Sequence, residues 1–263
     1  MNIIDAMKER RSVRTFDGEG LNASQIAELE RIIAESHSPF GGNVSIKLKK
    51  FNLKEGYKPS TYGIIKGAED FFLLGIGSDE ESAITAGYQF EQVVLKTCQA
   101  GFGTCWIAAT FKGSDFDKDV TWPAGEELKV ICPVGKAVGP TMREKLMRFT
   151  LGSKNRKAFN DLFFYNDFKT SVPESDQFYE ALEMLRIAPS DTNSQPWRAL
   201  VDGDSVHFYY KPKSPAAVLD LGIGICHFHE TEKFHGLDGR FTKVDAPAPP
   251  ENWKYLVTYT LTK

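Results

Sequence analysis

Three arginines and a serine lie within five residues near the start of the chain, in the segment RRSVR at 10–14. Arginine suits a phosphate because it stays charged and presents a planar fork of donors, and a serine hydroxyl adds a neutral donor. Arg10, Ser12 and Arg14 are two residues apart, so in an extended segment their side chains lie on one side. The segment therefore predicts an anion site, unless Arg10 and Arg11 only complement the C-terminal end of the preceding helix.

Two further segments carry groups that suit an anion or an aromatic ligand. KNRK at 154–157 is basic, and it is either a second anion contact or a solvated surface stretch. APSDTNSQPW at 188–197 combines two prolines with hydroxyl, carboxyl and amide side chains, and its Trp197 could cover an aromatic ligand. The alternative for this second segment is a helix-to-strand loop whose polar side chains bond to their own backbone.

Other patterns that carry chemistry are weak in this sequence. His227 and His229 are two residues apart and do not share a helix face, and His235 is poorly placed to chelate with them. The four cysteines show no CxxC spacing, so we expect reduced, mostly buried thiols in a cytoplasmic protein. GIGSD at 75–79 has neither Walker nor dinucleotide spacing. We therefore expect no metal site and no nucleophilic side chain.

Composition narrows the class of protein. The 263 residues are 41% hydrophobic and 25% charged, which is enough for one large domain or two small ones and is unlike a disordered chain. The formal net charge of −3 argues against a nucleic-acid partner. Apolar runs such as FFLLGIG at 71–77 are too short to span a bilayer, and the N-terminus does not read as a signal peptide. We expect no membrane partner.

The elements that must position these segments are predicted from periodicity, caps and turns. Asn2 suits a helix N-cap, and Gly101 suits a helix end. RALVD and SVHFYY are expected to pair across an Asp-Gly turn, and the polar segment 165–176 suits a linker. The predicted helices are 2–10, 24–35 and 80–100, and the predicted strands or extended segments are 45–53, 71–77, 104–111, 129–138 and 253–261.

An apolar helix, a Pro-containing loop, an asparagine and a strand occur twice in the sequence. The first set lies at 25–51 and the second at 177–204. Self-similarity at a spacing of about 150 residues predicts an internal repeat of one supersecondary unit.

Four segments resemble the motifs of the nitroreductase family of FMN-dependent flavoproteins. RRSVRTF resembles the opening motif, and GYQFEQVVLKTCQAGFGTCWIAA at 87–109 resembles the central helix and the strand that passes the flavin ring. SKNRKAFNDLFFY at 153–165 resembles the closing element, and APSDTNSQPWRALV resembles the helix–APSxxNxQPW–strand motif. The resemblance implies an α+β, nitroreductase-like fold with a central, mostly antiparallel sheet and packed helices.

The order of these motifs differs from that of ordinary family members. Those members are homodimers with FMN held between two subunits, and their APSxxNxQPW motif follows soon after the opening motif. Here the early position holds HSPFGGNVS, which lacks the Gln and the Trp, and the full motif follows the closing element. We therefore expect a single-chain pseudo-dimer with a first half at 1–170 and a partial second half at 176–263. One chain, as a monomer or weak homodimer, would complete one flavin site.

The resemblance assigns roles in the first half at positions that match the family motifs. Arg11 and Ser12 would contact the phosphate and the ribityl chain of FMN, and Arg14 would lie near the N1/O2 edge of the ring. Backbone amides at Ala108 and Ala109 would lie by flavin N5. The phosphate itself would be bound by Arg10, Lys154 and Arg156.

The second half would approach the same cofactor through its loop. Asp191 departs from the small or neutral residue usual in the family, and it would repel the phosphate if its side chain pointed there. The residues expected to contribute are Pro189, Ser190, Asp191, Asn193 and Gln195.

The activity implied by the resemblance is that of an FMN-dependent oxidoreductase. NAD(P)H would deliver hydride to N5, and a nitroaromatic, quinone or similar small acceptor would then be reduced in ping-pong order. No catalytic side chain is expected, because the protein's contribution to hydride transfer is orientation and electrostatics. The alternatives are a flavin-binding protein of the same fold with a different redox reaction, or one with no enzymatic activity.

Overall fold

The computed structural model describes residues 1–52, 59–139, 155–250 and 252–262. They form the expected α+β fold, with the mostly antiparallel strands divided between two sheets. The helices are α1 Ile3–Glu9, α2 Ala23–Glu35, α3 Glu80–Gln99, α4 Gly113–Phe116, α5 Tyr179–Ile187 and α6 Ala217–Phe234. The strands are β1 Val44–Lys50, β2 Asp70–Ile76, β3 Gly103–Thr104, β4 Glu127–Gly135, β5 Phe163–Tyr165, β6 Trp197–Asp202, β7 Ser205–Tyr210, β8 Gly239–Thr242 and β9 Lys254–Leu261.

Side-chain caps fix where the helices of the first half begin. The Asn2 side chain accepts a hydrogen bond of 2.8 Å from the Asp5 backbone N–H at the start of α1. Asn22 and Gln25 form a reciprocal capping box at the start of α2. The chain leaves α3 at Gly101, whose φ of +87° lies in the region that favours glycine. The predicted helices 2–10, 24–35 and 80–100 are thus confirmed within one residue at each end.

The same order of elements occurs twice along the chain. The first set is α2-β1-β2-α3-β3-β4, with the additional short helix α4 between β3 and β4, and its strands form a sheet in the order β1-β2-β4-β3. The second set is α5-β6-β7-α6-β8-β9, and its strands lie in the order β6-β7-β9-β8. All these neighbouring pairs are antiparallel. The repeated supersecondary unit expected from the sequence is therefore present as repeated topology.

Strand β5 joins the two sets. It follows the first set in sequence, yet it pairs in parallel with the edge strand β6 of the second sheet, with Phe163 opposite Ala199. Residues just after it also pack there, since the Phe168 ring lies 5.5 Å from the Tyr209 ring and Val172 is buried. The segment 165–176, which its polarity suggested as a linker, is thus a packed connection, because Val172 is buried and Phe168 is half-buried.

Helices α3 and α6 pack against each other across the centre of the molecule. A Cβ atom on Gly87 would lie 2.0 Å from the Leu219 carbonyl oxygen, and one on Gly222 would lie 2.3 Å from the Ile84 carbonyl oxygen. Gly87 therefore contacts the backbone one turn before Gly222, and Gly222 contacts the backbone one turn before Gly87. Such reciprocal contacts are the pattern of a two-fold interface. Both glycines are needed for the close approach.

The remaining strand expectations are mostly confirmed. Strand β2 is buried along its whole length, as its continuous apolar run predicts, and β6 and β7 pair with Asp202 opposite Ser205. The segment 104–111, expected as a strand or extended segment, is mostly extended loop: β3 ends at Thr104 and Ile107 makes a further bridge to Ile131. No helix among the residues described is long and apolar enough to cross a membrane.

Candidate functional site

The RRSVR segment runs extended along β3 after leaving α1. Helix α1 ends at Glu9, and the Arg10 backbone N–H still donates to the Ala6 carbonyl at 2.8 Å. Ser12 then forms a parallel bridge with Thr104, and the Val13 N–H donates to the Thr104 carbonyl at 2.8 Å. The Val13 side chain is buried beside Gly103. These contacts fix the backbone from which the arginines project.

The arginines of this segment differ in exposure. Arg11 is exposed, while Arg10 and Arg14 are half-buried, as is Ser12. The Nε atoms of Arg10 and Arg14 are both buried and have no hydrogen-bond partner in the part of the chain that the structure describes. Because a buried polar atom normally finds a partner, the two guanidinium groups indicate a site for an acceptor.

Arg156, from the closing element, is brought close to Arg10. Its guanidinium donates to the Asn193 side-chain oxygen at 2.5 Å and to the Ile187 carbonyl at 2.9 Å. Burial, together with the positive charges of Arg10 and Arg186, lowers the pKa of Arg156 to about 10. Arg10 and Arg156 thus lie within electrostatic reach of each other, as the anion-site hypothesis requires. Lys154, expected beside them, lies outside the described residues.

The loop before β6 holds the basic segment in place. The buried Gln195 accepts from the Lys157 backbone N–H at 2.8 Å and donates to the Asn155 carbonyl at 3.2 Å. The Asn193 amide also donates to the Asn155 carbonyl, at 2.7 Å. The side-chain amides of Asn193 and Gln195 therefore bond to the backbone beside Arg156. In this way the loop before β6 orients the Arg156 guanidinium, which belongs to the first half.

Backbone strain is concentrated in this loop. Thr192, Asn193 and Gln195 have φ values of 48°, 57° and 49°, in the left-handed region that residues other than glycine rarely adopt. Such conformations persist where the surrounding hydrogen bonds impose them, and they occur often at ligand sites.

The start of the loop is anchored to α6. The half-buried Pro189 follows α5, and the Ser190 hydroxyl oxygen accepts from the Gln195 backbone N–H at 3.0 Å. The Asp191 backbone N–H donates to the Asp220 carboxylate at 3.0 Å, and the exposed Asp191 side chain accepts from the Ser214 hydroxyl at 3.4 Å. The Asp191 carboxylate is therefore engaged by Ser214.

Asp220 is a buried acid that the sequence motifs did not single out. It lies in the first turn of α6 and accepts both the Asp191 N–H and the Ser194 hydroxyl. Burial raises its pKa to about 7. In sequence its only signal is an aspartate within the apolar run AVLDLGIGI.

The turn that carries Ala108 and Ala109 begins just after Ile107, which is hydrogen-bonded to β4. The backbone N–H and carbonyl of Ile107 both bond to Ile131, at 3.0 and 2.9 Å, and the two alanines that follow are exposed in a bend. Just before Ile107, the Trp106 indole N–H donates to Glu91 at 2.8 Å.

Glu91 on α3 is the second buried acid that motif comparison missed. One of its oxygens accepts from Trp106, and the other lies 3.0 Å from His227 Nε2 and 3.8 Å from Arg10 Nε. Its side chain is fully buried. A glutamate inside the otherwise buried face of the central helix is the signal that sequence offers for it.

The histidines of HFHETEKFH have separate partners. His227 contacts Glu91, His229 lies 2.7 Å from the Tyr88 hydroxyl, and His235 lies 3.0 Å from Glu180. Burial lowers the pKa of His229 to about 4, so this imidazole is neutral at neutral pH. Within the described ranges, no group of three His, Cys, Asp or Glu side chains is arranged to hold a metal ion.

Comparison with known proteins identifies the family. The comparison with curated proteins gave no match. A structure from Thermotoga maritima, described as a "putative nitroreductase", aligns over 99% of this chain and 93% of that one, with a TM-score of 0.63 and 19% identity, and so shares the fold.

Shorter alignments link the chain to structures of other nitroreductases. One from Bacteroides fragilis with bound FMN covers 52% of this chain and 89% of that one, with a TM-score of 0.42 and 13% identity. One from Desulfitobacterium hafniense with bound FMN covers 54% and 92%, with a TM-score of 0.43 and 16% identity. A family model described as "Putative TM nitroreductase" matches residues 2–231, and the chain therefore belongs to this nitroreductase family.

Proposed function

We propose that the protein is an FMN-dependent oxidoreductase that takes hydride from NAD(P)H and reduces a nitroaromatic, quinone or similar small acceptor. The observation that carries the proposal is the pair of buried Nε atoms of Arg10 and Arg14, which have no hydrogen-bond partner among the described residues and lie on a backbone bridged to Thr104. Membership of a nitroreductase family supports the reaction class. Assigning FMN to this chain rests on that family and on the set of donors at the site.

The donor set fits the phosphate of FMN. The Arg10 side chain is only 9% exposed and lies with its Nε 3.8 Å from Glu91, and its guanidinium carries further N–H donors that suit a phosphate. Guanidinium groups bind phosphate through charge-assisted hydrogen bonds, and Ser12 adds a hydroxyl within the same segment. In this proposal Lys154 completes the phosphate contacts.

When bound, FMN would supply the chemistry of hydride transfer between NAD(P)H and a second substrate, in ping-pong order. The residues of the chain bind and orient it. Arg14 places a positive charge four residues beyond the phosphate contact, which favours electron-rich states of the ring and raises its potential. The backbone at Ala108 and Ala109 would face N5. We assign no acid or base side chain to the hydride step.

The proposal includes a single-chain pseudo-dimer, with halves at 1–170 and 176–263. Repeated topology and the reciprocal contacts of Gly87 and Gly222 support it. The pairing of β5 with β6 supports it further, because it resembles an arm exchanged between partners. One chain would hold one flavin, with the arginines in the first half and the loop at 188–197 in the second.

The test is a visible absorption spectrum of the purified chain, followed by identification of the ligand released by heat. The expected result is a flavin band with one FMN per chain, and oxidation of NADH or NADPH that depends on an added quinone or nitroaromatic. Bound FMN without nicotinamide oxidation would favour the alternative of a flavin protein with a different redox reaction or none. A colourless chain that takes up no added FMN would contradict the proposal.

A further inference from the structure

We propose that Glu91 is a positioning residue that orients Arg10 toward the flavin phosphate. Glu91 forms a buried pair with His227, and the two side chains share one proton. The inference rests on the proposed flavin site.

Glu91 joins three segments that the site needs. Its Oε2 accepts from the indole N–H of Trp106, two residues before the Ala108 bend, at 2.8 Å. Its Oε1 lies 3.0 Å from His227 Nε2 on α6 and 3.8 Å from Arg10 Nε. Both the Glu91 and His227 side chains are fully buried. The Glu91 carboxylate therefore contacts Arg10 at the proposed phosphate site, Trp106 beside the proposed ring site, and His227 in the second half.

The hydrogen bonds of His227 fix the number of protons in the pair. Its Nδ1 lies 3.1 Å from the Met184 carbonyl, which only accepts, so Nδ1 carries a proton. Its Nε2 faces a carboxylate oxygen of Glu91, so that contact also needs a proton, on either the imidazole or the acid. In both cases the pair holds one proton more than a neutral histidine beside an ionised glutamate.

This proton decides how much positive charge Arg10 presents. With it, Glu91 and His227 together are electrically neutral, and the charge of Arg10 is not cancelled. Without it, a buried carboxylate 3.8 Å from Arg10 Nε would neutralise that charge and repel a phosphate. The pair thus orients Arg10 while leaving its charge, together with that of Arg156, for a dianionic phosphate.

Glu91→Gln isolates the positioning role. The amide oxygen could still accept from Trp106, and the amide N–H could donate to an Nε2 that no longer needs its own proton. The net charge of the pair stays at zero, because one carboxylate charge and one proton are lost together. Only the contact with Arg10 changes, since an amide N–H then faces the guanidinium N–H.

The experiment compares FMN with riboflavin, which lacks the phosphate. Dissociation constants for both are measured by flavin fluorescence on the full-length apoprotein. We expect Glu91→Gln to weaken FMN binding by about tenfold and riboflavin binding by less than twofold, since the loss of one charged contact is about 1.4 kcal/mol. Glu230→Gln is the matched control, because Glu230 accepts from Gln92 across the same helix pair and should leave both constants within twofold.

Further outcomes separate this inference from the function on which it rests. If Glu91→Gln weakens the binding of FMN and riboflavin equally, or leaves the ratio of their dissociation constants unchanged, the inference is overturned while the proposed function still stands. A wild-type chain that binds no FMN overturns the proposed function. If Glu91→Gln fails to fold, His227→Gln is the second variant. Its amide can donate to Glu91 but cannot carry the extra charge, so the preference for FMN over riboflavin should fall about tenfold, and an unchanged preference overturns the inference.

Discussion

Arginine side chains carry the proposed phosphate site at the scale of single residues. Arg10 and Arg14 have buried Nε atoms and lie on a backbone fixed by Thr104 and Lys66. Because each charge-assisted hydrogen bond contributes about 1.5–3 kcal/mol, Arg10→Ala with Arg14→Ala should weaken FMN binding by at least about 100-fold. The protein should then be purified without its flavin band.

The matched control is Arg31→Ala, since Arg31 pairs with two glutamates on the exposed face of α2. This variant should keep the flavin band, because surface ion pairs contribute little. Full retention of FMN by the double variant would refute the assignment of RRSVR to the phosphate.

Asp220 gives a prediction on pH. Its pKa is about 7 in the folded protein and near 4 when unfolded, so the folded state binds the proton more tightly. The stability that this proton confers is present below pH 4 and is lost as the pH rises through 7. Asp220→Asn, which stays neutral, should therefore gain about 2–3 kcal/mol over wild type between pH 5 and pH 8.

The measurement for Asp220 is urea unfolding of both proteins at pH 5 and pH 8. Glu232, whose pKa burial also raises to about 7, is present in both proteins, so its contribution cancels in the difference. Parallel stability curves for the variant and wild type would contradict the prediction. This residue also shows a limit of motif reading, because nothing in the sequence reveals that the loop at 188–197 lies over it.

At the scale of elements, the crossing of α3 and α6 depends on two glycines. A Cβ atom on either would meet a backbone carbonyl, which cannot move as a flexible side chain can. Gly87→Ala or Gly222→Ala must therefore separate the helices, and each should lower the free energy of unfolding by about 1–3 kcal/mol. Gly113→Ala, where nothing lies within 4 Å of the new Cβ, is the control and should be nearly neutral.

The variants are compared by urea unfolding and by FMN affinity. Because Glu91 and His227 face each other across this crossing, both glycine variants should also weaken FMN binding. Glycine variants as stable as the control would show that the close approach of the helices is not required.

The helices and strands were predicted from the sequence far better than the tertiary contacts between them. Asn2, Gly101 and the Asp-Gly turn each act within a few residues, so the helices and the β6–β7 hairpin follow from them. The contact of Glu91 with His227 links residues 136 positions apart, and no local pattern encodes it. The resemblance to family motifs supplied the candidate site, while the buried acids under it came only from the structure.

In the whole molecule, the two halves share the largest of three apolar clusters among the described residues. This cluster combines residues of α1 and α3 with residues of α5, α6 and the second sheet. Met7 and Tyr88, from the first half, pack in the same cluster as Leu185 and Phe228, from the second. Since both halves contribute buried side chains to this cluster, we expect unfolding of the chain to be a single cooperative transition.

The last prediction separates the halves. A fragment of residues 1–170 keeps Arg10, Arg14 and Arg156 but loses the buried partners of α3 and the side-chain amide of Asn193 that accepts from Arg156. We expect it to be unfolded or aggregated, and to bind FMN at least about 100-fold more weakly than the full chain. Production of 1–170 together with 176–263 should restore a folded pair with one FMN, because the interface between the halves is the core itself. Circular dichroism and flavin titration measure both effects, and a fragment of 1–170 that folds and binds FMN tightly by itself would refute the shared site.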